Sequence, residues 1–416
     1  TCRPVSSSSN FELNKAFYNA VFVKDNGQHL RLGDVIRLTK NQDNVNQVGN
    51  RNFALLGDPS MRLSYPKNEI VITDIKNNGV STDTISALSE VTMRGVVNAP
   101  AFNGTLNVTV YDKEMVFTTL GNENPPFSYL DKQNVIFRGD ATVQNSQFEL
   151  SFIVPKNISY LPDKAKMSFY AFDDNKDADA HGAHFVTVGG SNPTPATDTE
   201  GPDIALYLGD TLNTSINDIA SNTYLVARLK DESGINISGY GIGNNITAIL
   251  DDSITFVLND YYRADKDDFT AGWLRFPLKN LEKGKHTITL KAWDTFNNSS
   301  ATSLSFTVLD PNKLVITKLF NTPNPFSMNT SFSFRHNRIG EDLSVVLDII
   351  NSQGQVVQQI DYEIEESPSL VTLPTWDGTG LEGQKITPGI YLFRLMVRSL
   401  SDGALDRRAE RLVFIN

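Results

Sequence analysis

Hydrophobic and polar positions change their period once along this chain, near Pro66. Before that point Leu13, Ala16, Phe17, Ala20 and Val21 recur at three- and four-residue steps, the spacing of one helix face. Ser9 and Glu12 precede the run and predict a capping box, with Ser9 as N-cap. Residues 32–40, with Val35, Ile36 and Leu38 apolar, predict a second helix. Phe53-Ala54-Leu55-Leu56, closed by Gly57-Asp58-Pro59, predicts a buried strand. Two helices and one strand without sheet partners do not make a core, which below about 70 residues rarely suffices even when complete. The segment therefore reads as the tail of an α/β domain that begins upstream.

After Pro66 the period shortens to that of strands. Residues 70–72, 91–93, 106–110, 148–153 and 167–172 are short apolar runs separated by turn residues. Gly189-Gly190-Ser191-Asn192-Pro193-Thr194-Pro195-Ala196-Thr197 reads as a linker. Strands follow at 204–207, 224–229, 254–258, 273–277, 286–292 and 303–308. In the last stretch Pro323 and Pro325 mark a turn, residues 343–350 and 390–397 read as strands, and Gly354 suits a hairpin loop. The fold expected is mainly β: serial Ig-like sandwiches behind an α/β remnant, divided as 1–68, 69–197, 198–311 and 312–416.

Composition narrows the function. The 416 residues are 40% hydrophobic and 20% charged, which is globular. A net charge of −11 excludes the basic footprint of a nucleic-acid binder. No apolar run nears the ~20 residues of a spanning helix. Cys2 is the single cysteine, so no internal disulfide forms. Thr1-Cys2-Arg3-Pro4 has neither an initiator Met nor a signal-peptide apolar region, so the chain is expected to be the C-terminal portion of something longer.

Residues 173–184 hold the densest set of ligand-type side chains. Asp173, Asp177, Asp179 and His181 are the metal candidates: alternating oxygen donors suit Ca²⁺, and His181 with His184 suits zinc. No Glu closes the loop as in an EF-hand, and a solvated acidic turn is the plain reading. Beyond that turn a structural Ca²⁺ is favoured over zinc, and no cofactor is required. Asp251-Asp252 and Asp265-Lys266-Asp267-Asp268 read as hairpin loops. Trp376, before the turn pair Asp377-Gly378, reads as a packing anchor and His286 and His336 as ordinary strand positions.

Three sets of residues resemble known families. Pro323-Asn324-Pro325-Phe326, Asn351-Ser352-Gln353-Gly354-Gln355-Val356-Val357, Gly389-Ile390-Tyr391-Leu392-Phe393-Arg394-Leu395 and Arg411-Leu412-Val413-Phe414-Ile415 resemble the FlgD-like C-terminal export module of type IX secretion cargo in Bacteroidetes. Asn52-Phe53-Ala54-Leu55-Leu56-Gly57-Asp58-Pro59-Ser60-Met61-Arg62-Leu63, with Arg31-Leu32-Gly33-Asp34 and the first ten residues, resembles the end of the gingipain-type (C25) cysteine peptidase domain, a caspase-like fold. Asp231-Glu232-Ser233-Gly234-Ile235-Asn236, Gly239-Tyr240-Gly241-Ile242-Gly243 and the stretch around Trp293-Asp294 resemble the type IX sortases of the PorU type.

That resemblance implies a cell-surface enzyme on the outer face of the outer membrane. It would cut C-terminal signals from cargo through an acyl-thioenzyme and join the cargo to anionic lipopolysaccharide. The catalytic Cys and His would lie upstream, leaving no catalytic residue here; Cys2 does not fall on the nucleophile's position. Implied partners are an outer-membrane β-barrel of the PorV type, other proteins of the attachment complex, and cargo C-terminal domains. The alternatives are a secreted gingipain-like protease with a removable C-terminal signal, and a non-enzymatic multi-sandwich adhesin.

Overall fold

The computed structural model describes residues 7–42, 52–122, 125–175, 177–209, 218–239, 243–310 and 313–415. Cys2, Lys176 and residues 240–242, which the sequence reading invokes, lie outside them. The described residues form two α-helices joined by a short hairpin (Lys24–Asp25 with Gln28–His29), three sandwiches and one projecting ribbon. None of their helices is long and apolar enough to cross a membrane.

Helix α1 (Ser7–Val21) packs on α2 (Leu32–Lys40) through Ala20, Val21 and Val35, with Phe17 and Leu38 alongside. Ser9 lies inside α1 rather than at its N-cap, because the helix begins two residues earlier. Residues 53–56 form no strand, correcting the sequence expectation, and Leu56 is 96% exposed. A strand needs a neighbour to take its backbone hydrogen bonds, and none of the described residues pairs with this segment.

The first sandwich contains β1 (Asn68–Asn77), β2 (Thr84–Ala87), β3 (Glu90–Val97), β4 (Gly104–Tyr111), β5 (Met115–Thr118), β6 (Ser128–Asp131), β7 (Val135–Val143), β8 (Gln147–Ile153), β9 (Asp163–Asp173) and β10 (Asp179–Ser191). The sheet runs β7-β4-β9-β10-β1-β3-β8, with β2 beside β10. Its fold-over is a two-residue parallel junction, Asn68 and Glu69 on Ala180 and His181. The layers meet at the stacked Phe137–Phe152 pair, 4.8 Å between ring centres, and at Phe148–Phe169. Strict alternation in β4 sends Leu106, Val108 and Val110 inward. Strands β5 and β6 continue the β4–β7 hairpin as a two-stranded ribbon whose Val116, Phe127 and Leu130 stay exposed.

The second sandwich contains β11 (Asp203–Leu208), β12 (Thr223–Lys230), β13 (Thr247–Leu250), β14 (Ile254–Val257), β15 (Tyr262–Asp265), β16 (Asp268–Leu278), β17 (Gly284–Trp293) and β18 (Ser299–Val308). Sheet β11-β12-β16-β15 faces β18-β17-β13-β14. The C-terminal module pairs β19 (Ile316–Thr322), β20 (Ser331–His336) and β23 (Leu370–Thr372) in one sheet. Its other sheet is β22 (Val356–Ile364), β21 (Leu343–Ile350), β24 (Gly389–Ser399) and β25 (Leu405–Phe414), in that order. Trp376 is buried against Phe326 and Phe332 and its Nε1 donates to Thr379 O at 3.0 Å, so it anchors packing as expected.

Candidate functional site

The N-terminal segment closes on itself through the residues that carry its motifs. Leu32 N donates to Met61 O at 2.8 Å and Gly33 N to Pro59 O at 2.9 Å. A Cβ on Gly33 would lie 2.9 Å from Pro59 Cβ, so only glycine lets the 57–61 turn seat on α2. Tyr65 stacks on His29, 3.8 Å between ring centres, and its hydroxyl donates to Val21 O at 2.9 Å. Burial is the main force holding His29 below the usual histidine range, with Lys24 and His181 adding repulsion. Phe11, Tyr18, Phe22 and Met61 remain exposed on this small unit.

Among the metal candidates of the sequence reading, Asp173 and Asp179 have hydrogen-bond partners of their own. Asp173 Oδ1 accepts from Asp177 N at 2.7 Å and Ala178 N at 3.2 Å, which fixes the turn. Asp179 Oδ2 accepts from the Tyr170 hydroxyl, and Asp179, His181 and His184 lie in strand β10 rather than in a loop. Among the described residues, no three of Asp173, Asp177, Asp179 and His181 gather as a ligand set. Among the described residues Asp198, Asp231 and Asp294 do, with one carboxylate oxygen of each within 4.8 Å of the others.

That cluster joins three segments far apart in sequence. Asp198 belongs to the linker entering the second sandwich; Asp231 follows β12 and Asp294 follows β17. Asp231 Oδ1 accepts from Ser233 N at 2.8 Å and Ser233 Oγ at 2.7 Å. Buried Asp294 accepts from Asn298 N and Asn298 Nδ2, both at 2.7 Å, and Asn298 Nδ2 also reaches Asp198 O at 3.2 Å. Burial pushes Asp231 up to about 6, with the neighbouring carboxylates reinforcing it against the opposing Ser233 bonds; burial also raises Asp294. Three oxygens so placed would relax by holding a proton or a hard divalent cation such as Ca²⁺. No periodic signal marks these residues; the Asp231-x-Ser233 and Asp294-to-Asn298 spacings signal only local turns.

The same turns fasten the two sandwiches together. Lys156 N donates to Thr295 O at 2.8 Å, and Asn236 Nδ2 donates to Asn157 Oδ1 at 2.7 Å. Asn134, buried at the ribbon's root, donates to Asp112 and Ser238 and accepts from Gly239 N at 2.7 Å. Across β7 and β15 Arg263 pairs with Asp140, and Arg138 of β7 pairs at 3.2 Å with Asp260 in the turn before β15.

Residues 1–64 match the model of peptidase family C25. Among solved structures the chain is similar to dimeric latent PorU from Porphyromonas gingivalis, at 29% identity over 95% of this chain and 38% of that one, with a TM-score of 0.38. The chain thus spans well under half of that relative's length. It is also similar to SGBP-B of Bacteroides ovatus, at 13% identity over 85% of this chain and 71% of that one, TM-score 0.28. Chicken CNTN1 FN1–FN3 follows at 10% identity over 84% and 98%, TM-score 0.18. No curated protein matches. The segment that matches the C25 model precedes the serial sandwiches.

Proposed function

We propose that this chain is the C-terminal part of a cell-surface cysteine peptidase of the type IX secretion system, one that trims cargo signals and transfers cargo to anionic lipopolysaccharide. The observation that carries the reading is the C25 match over residues 1–64, joined to sandwiches that end in a module bearing export-type motifs. In this reading the catalytic Cys and His reside outside residues 1–416. The exposed Phe11, Tyr18, Phe22 and Leu56 give the rest of the peptidase domain an apolar surface to pack against. The sandwiches hold that domain away from the C-terminal module, which docks on an outer-membrane β-barrel of the PorV type beside other attachment-complex proteins. A Cys thiolate would attack the scissile carbonyl, and an amine of the lipopolysaccharide would displace it.

The test compares the longer protein with this chain on a cargo carrying its C-terminal signal. The longer protein should release the signal and the 416-residue chain should not. Cleavage by the chain alone would overturn the placement of the catalytic pair. Surface protein lacking residues 314–416 would favour the secreted protease with a removable signal.

A further inference from the structure

The two edges of the module's larger sheet are finished differently. Strand β25 is sealed along its outer edge. Asp406 Oδ2 accepts from Ile316 N at 2.7 Å, and Arg408 donates to Thr317 O at 2.7 Å. Further along, Asn324 Nδ2 donates to Arg411 O, Phe326 N to Val413 O, and Ile415 N to Phe326 O. Strand β22, at the other edge, pairs with β21 alone. The turn after Trp376 covers only its start, where Leu381 N donates to Val357 O at 2.9 Å. Among the described residues, no hydrogen bond from another segment reaches that edge beyond Val357. Backbone groups left open in this way are a template for a further strand.

Both faces of the open run are patterned. Ile360, Tyr362 and Ile364 stand opposite Leu347, Val345 and Leu343. The three partners are fully buried, whereas the β22 residues are only half-buried, so the core stops one strand short here. On the outer face Asp361 and Glu363 are exposed, and the exposed Glu365 and Glu366 continue the acidic run. Among the described residues none of these four carboxylates has an ion-pair partner. Lysines, prolines and bulges commonly guard an edge against added strands. Here the pairing irregularity sits at the covered start of β22, between Val356 and Gln358, and residues 358–364 contain neither lysine nor proline.

We propose that this edge is the docking site for an extended segment of a different polypeptide, one that alternates apolar with basic side chains. Main-chain hydrogen bonds to β22 would hold it, and the alternate side chains would select it. Its apolar residues extend the row of Ile360, Tyr362 and Ile364, while Lys or Arg two residues apart face Asp361 and Glu363. A second copy of β22 suits the edge badly. Any antiparallel self-pairing that keeps the apolar row inside sets carboxylate against carboxylate outside. The proposal goes beyond the peptidase reading and does not depend on it.

Two labelled peptides of about ten residues test this on the whole chain. One alternates lysine with valine; the other holds the same residues in two separate blocks. Fluorescence anisotropy at low salt should show the alternating peptide binding about tenfold or more tighter than the block peptide. Hydrogen exchange should slow at residues 359–364 in the bound state. D361K/E363K changes exposed positions, so the melting profile should hold. That variant should lose the lysine peptide and gain one that alternates glutamate with valine. Equal binding of the two lysine peptides would reduce the site to charge alone and overturn the proposal. So would slowed exchange confined to other strands, or an affinity indifferent to the double reversal. Protection of residues 359–364 that grows with chain concentration, without peptide, would make a second copy the occupant and overturn it too.

Discussion

The two sandwiches and the C-terminal module meet their neighbours in opposite ways. One continuous set of buried residues runs from Ile70 in the first sandwich to Val308 in the second, whereas the module's core, from Leu314 to Phe414, is its own. The sandwiches share a seam of buried polar bonds and ion pairs. Between the second sandwich and the module, the ion pair Lys283–Asp310 lies at the linker, and a shallow cleft opens beside Leu208, Ile219, Thr317 and Ile339. Shared burial makes two domains one folding unit, and separate burial makes the module a detachable one.

The comparison breaks most visibly in the cores. Phe393→Ala empties a fully buried site in the module and should cost about 3–5 kcal/mol. Phe152→Ala should cost as much in the first sandwich. Hydrogen exchange should show the first change confined to residues 314–415 and the second spreading through both sandwiches. Equal spreading from Phe393→Ala would remove the distinction.

The seam gives the next effect. Asn134→Ala strips a partner from buried Asp112 and Ser238, and from Gly239 N. A loss of about 2–3 kcal/mol is expected, with faster exchange in β5 and β6. A melting temperature unchanged by this substitution would mean that the polar bonds do not join the sandwiches.

Much of this organisation was legible in the chain, and the misses share causes. Strands β4 and β17 alternate because one face is buried and the other wet. Strand β7 escaped reading because Gly139 and Asp140 interrupt it. A Cβ on Gly139 would strike the Phe137 ring at 2.6 Å and approach Ala264 Cβ at 3.2 Å, so the neighbouring ring first and the second sandwich next call for that glycine. Strand β10 looked like a ligand-rich loop for a similar reason, since a Cβ on Gly182 would lie 2.4 Å from Ile70 O. The Asp198–Asp231–Asp294 cluster left no trace at all, because its members converge only after the linker docks. Residues 53–56 erred the other way, an apolar run without a neighbouring strand.

The carboxylate cluster adds a pH dependence to the sandwich pair alone. Asp231 binds its proton up to about pH 6 when folded, against an ordinary value of 3.8. The folded state therefore holds more protons than the unfolded one across that window. This contribution is complete below pH 3.8 and is lost as pH rises through about 6. Asp231→Asn keeps an acceptor for Ser233 and should flatten the trend, changing the stability difference between pH 4 and 7 by about 1–2 kcal/mol once solvent screening is allowed for. A variant that tracks the parent at every pH would exclude the cluster as its source.

The smallest effect divides the two regions by sign. His286, in the second sandwich, places Nδ1 2.7 Å from Asp251 Oδ2 and Nε2 2.7 Å from Glu282 O. Both nitrogens face acceptors, so the ring needs both protons, and the Asp251 bond raises it above 6.5. Its contribution is whole below 6.5 and fades as pH climbs through the raised value. His336, in the module, accepts from Arg338 N at 3.1 Å through Nδ1 and donates from Nε2 to Pro368 O at 2.9 Å. That ring is neutral, and burial lowers it, so its contribution is whole above 6.5 and fades as pH falls. Each effect should stay below about 1 kcal/mol. Imidazole resonances followed by NMR between pH 5 and 8 should therefore titrate late for His286 and early for His336. Coincident midpoints would mean that the hydrogen bonds seen at the two rings do not set their protonation, and that pH does not distinguish the sandwich pair from the module.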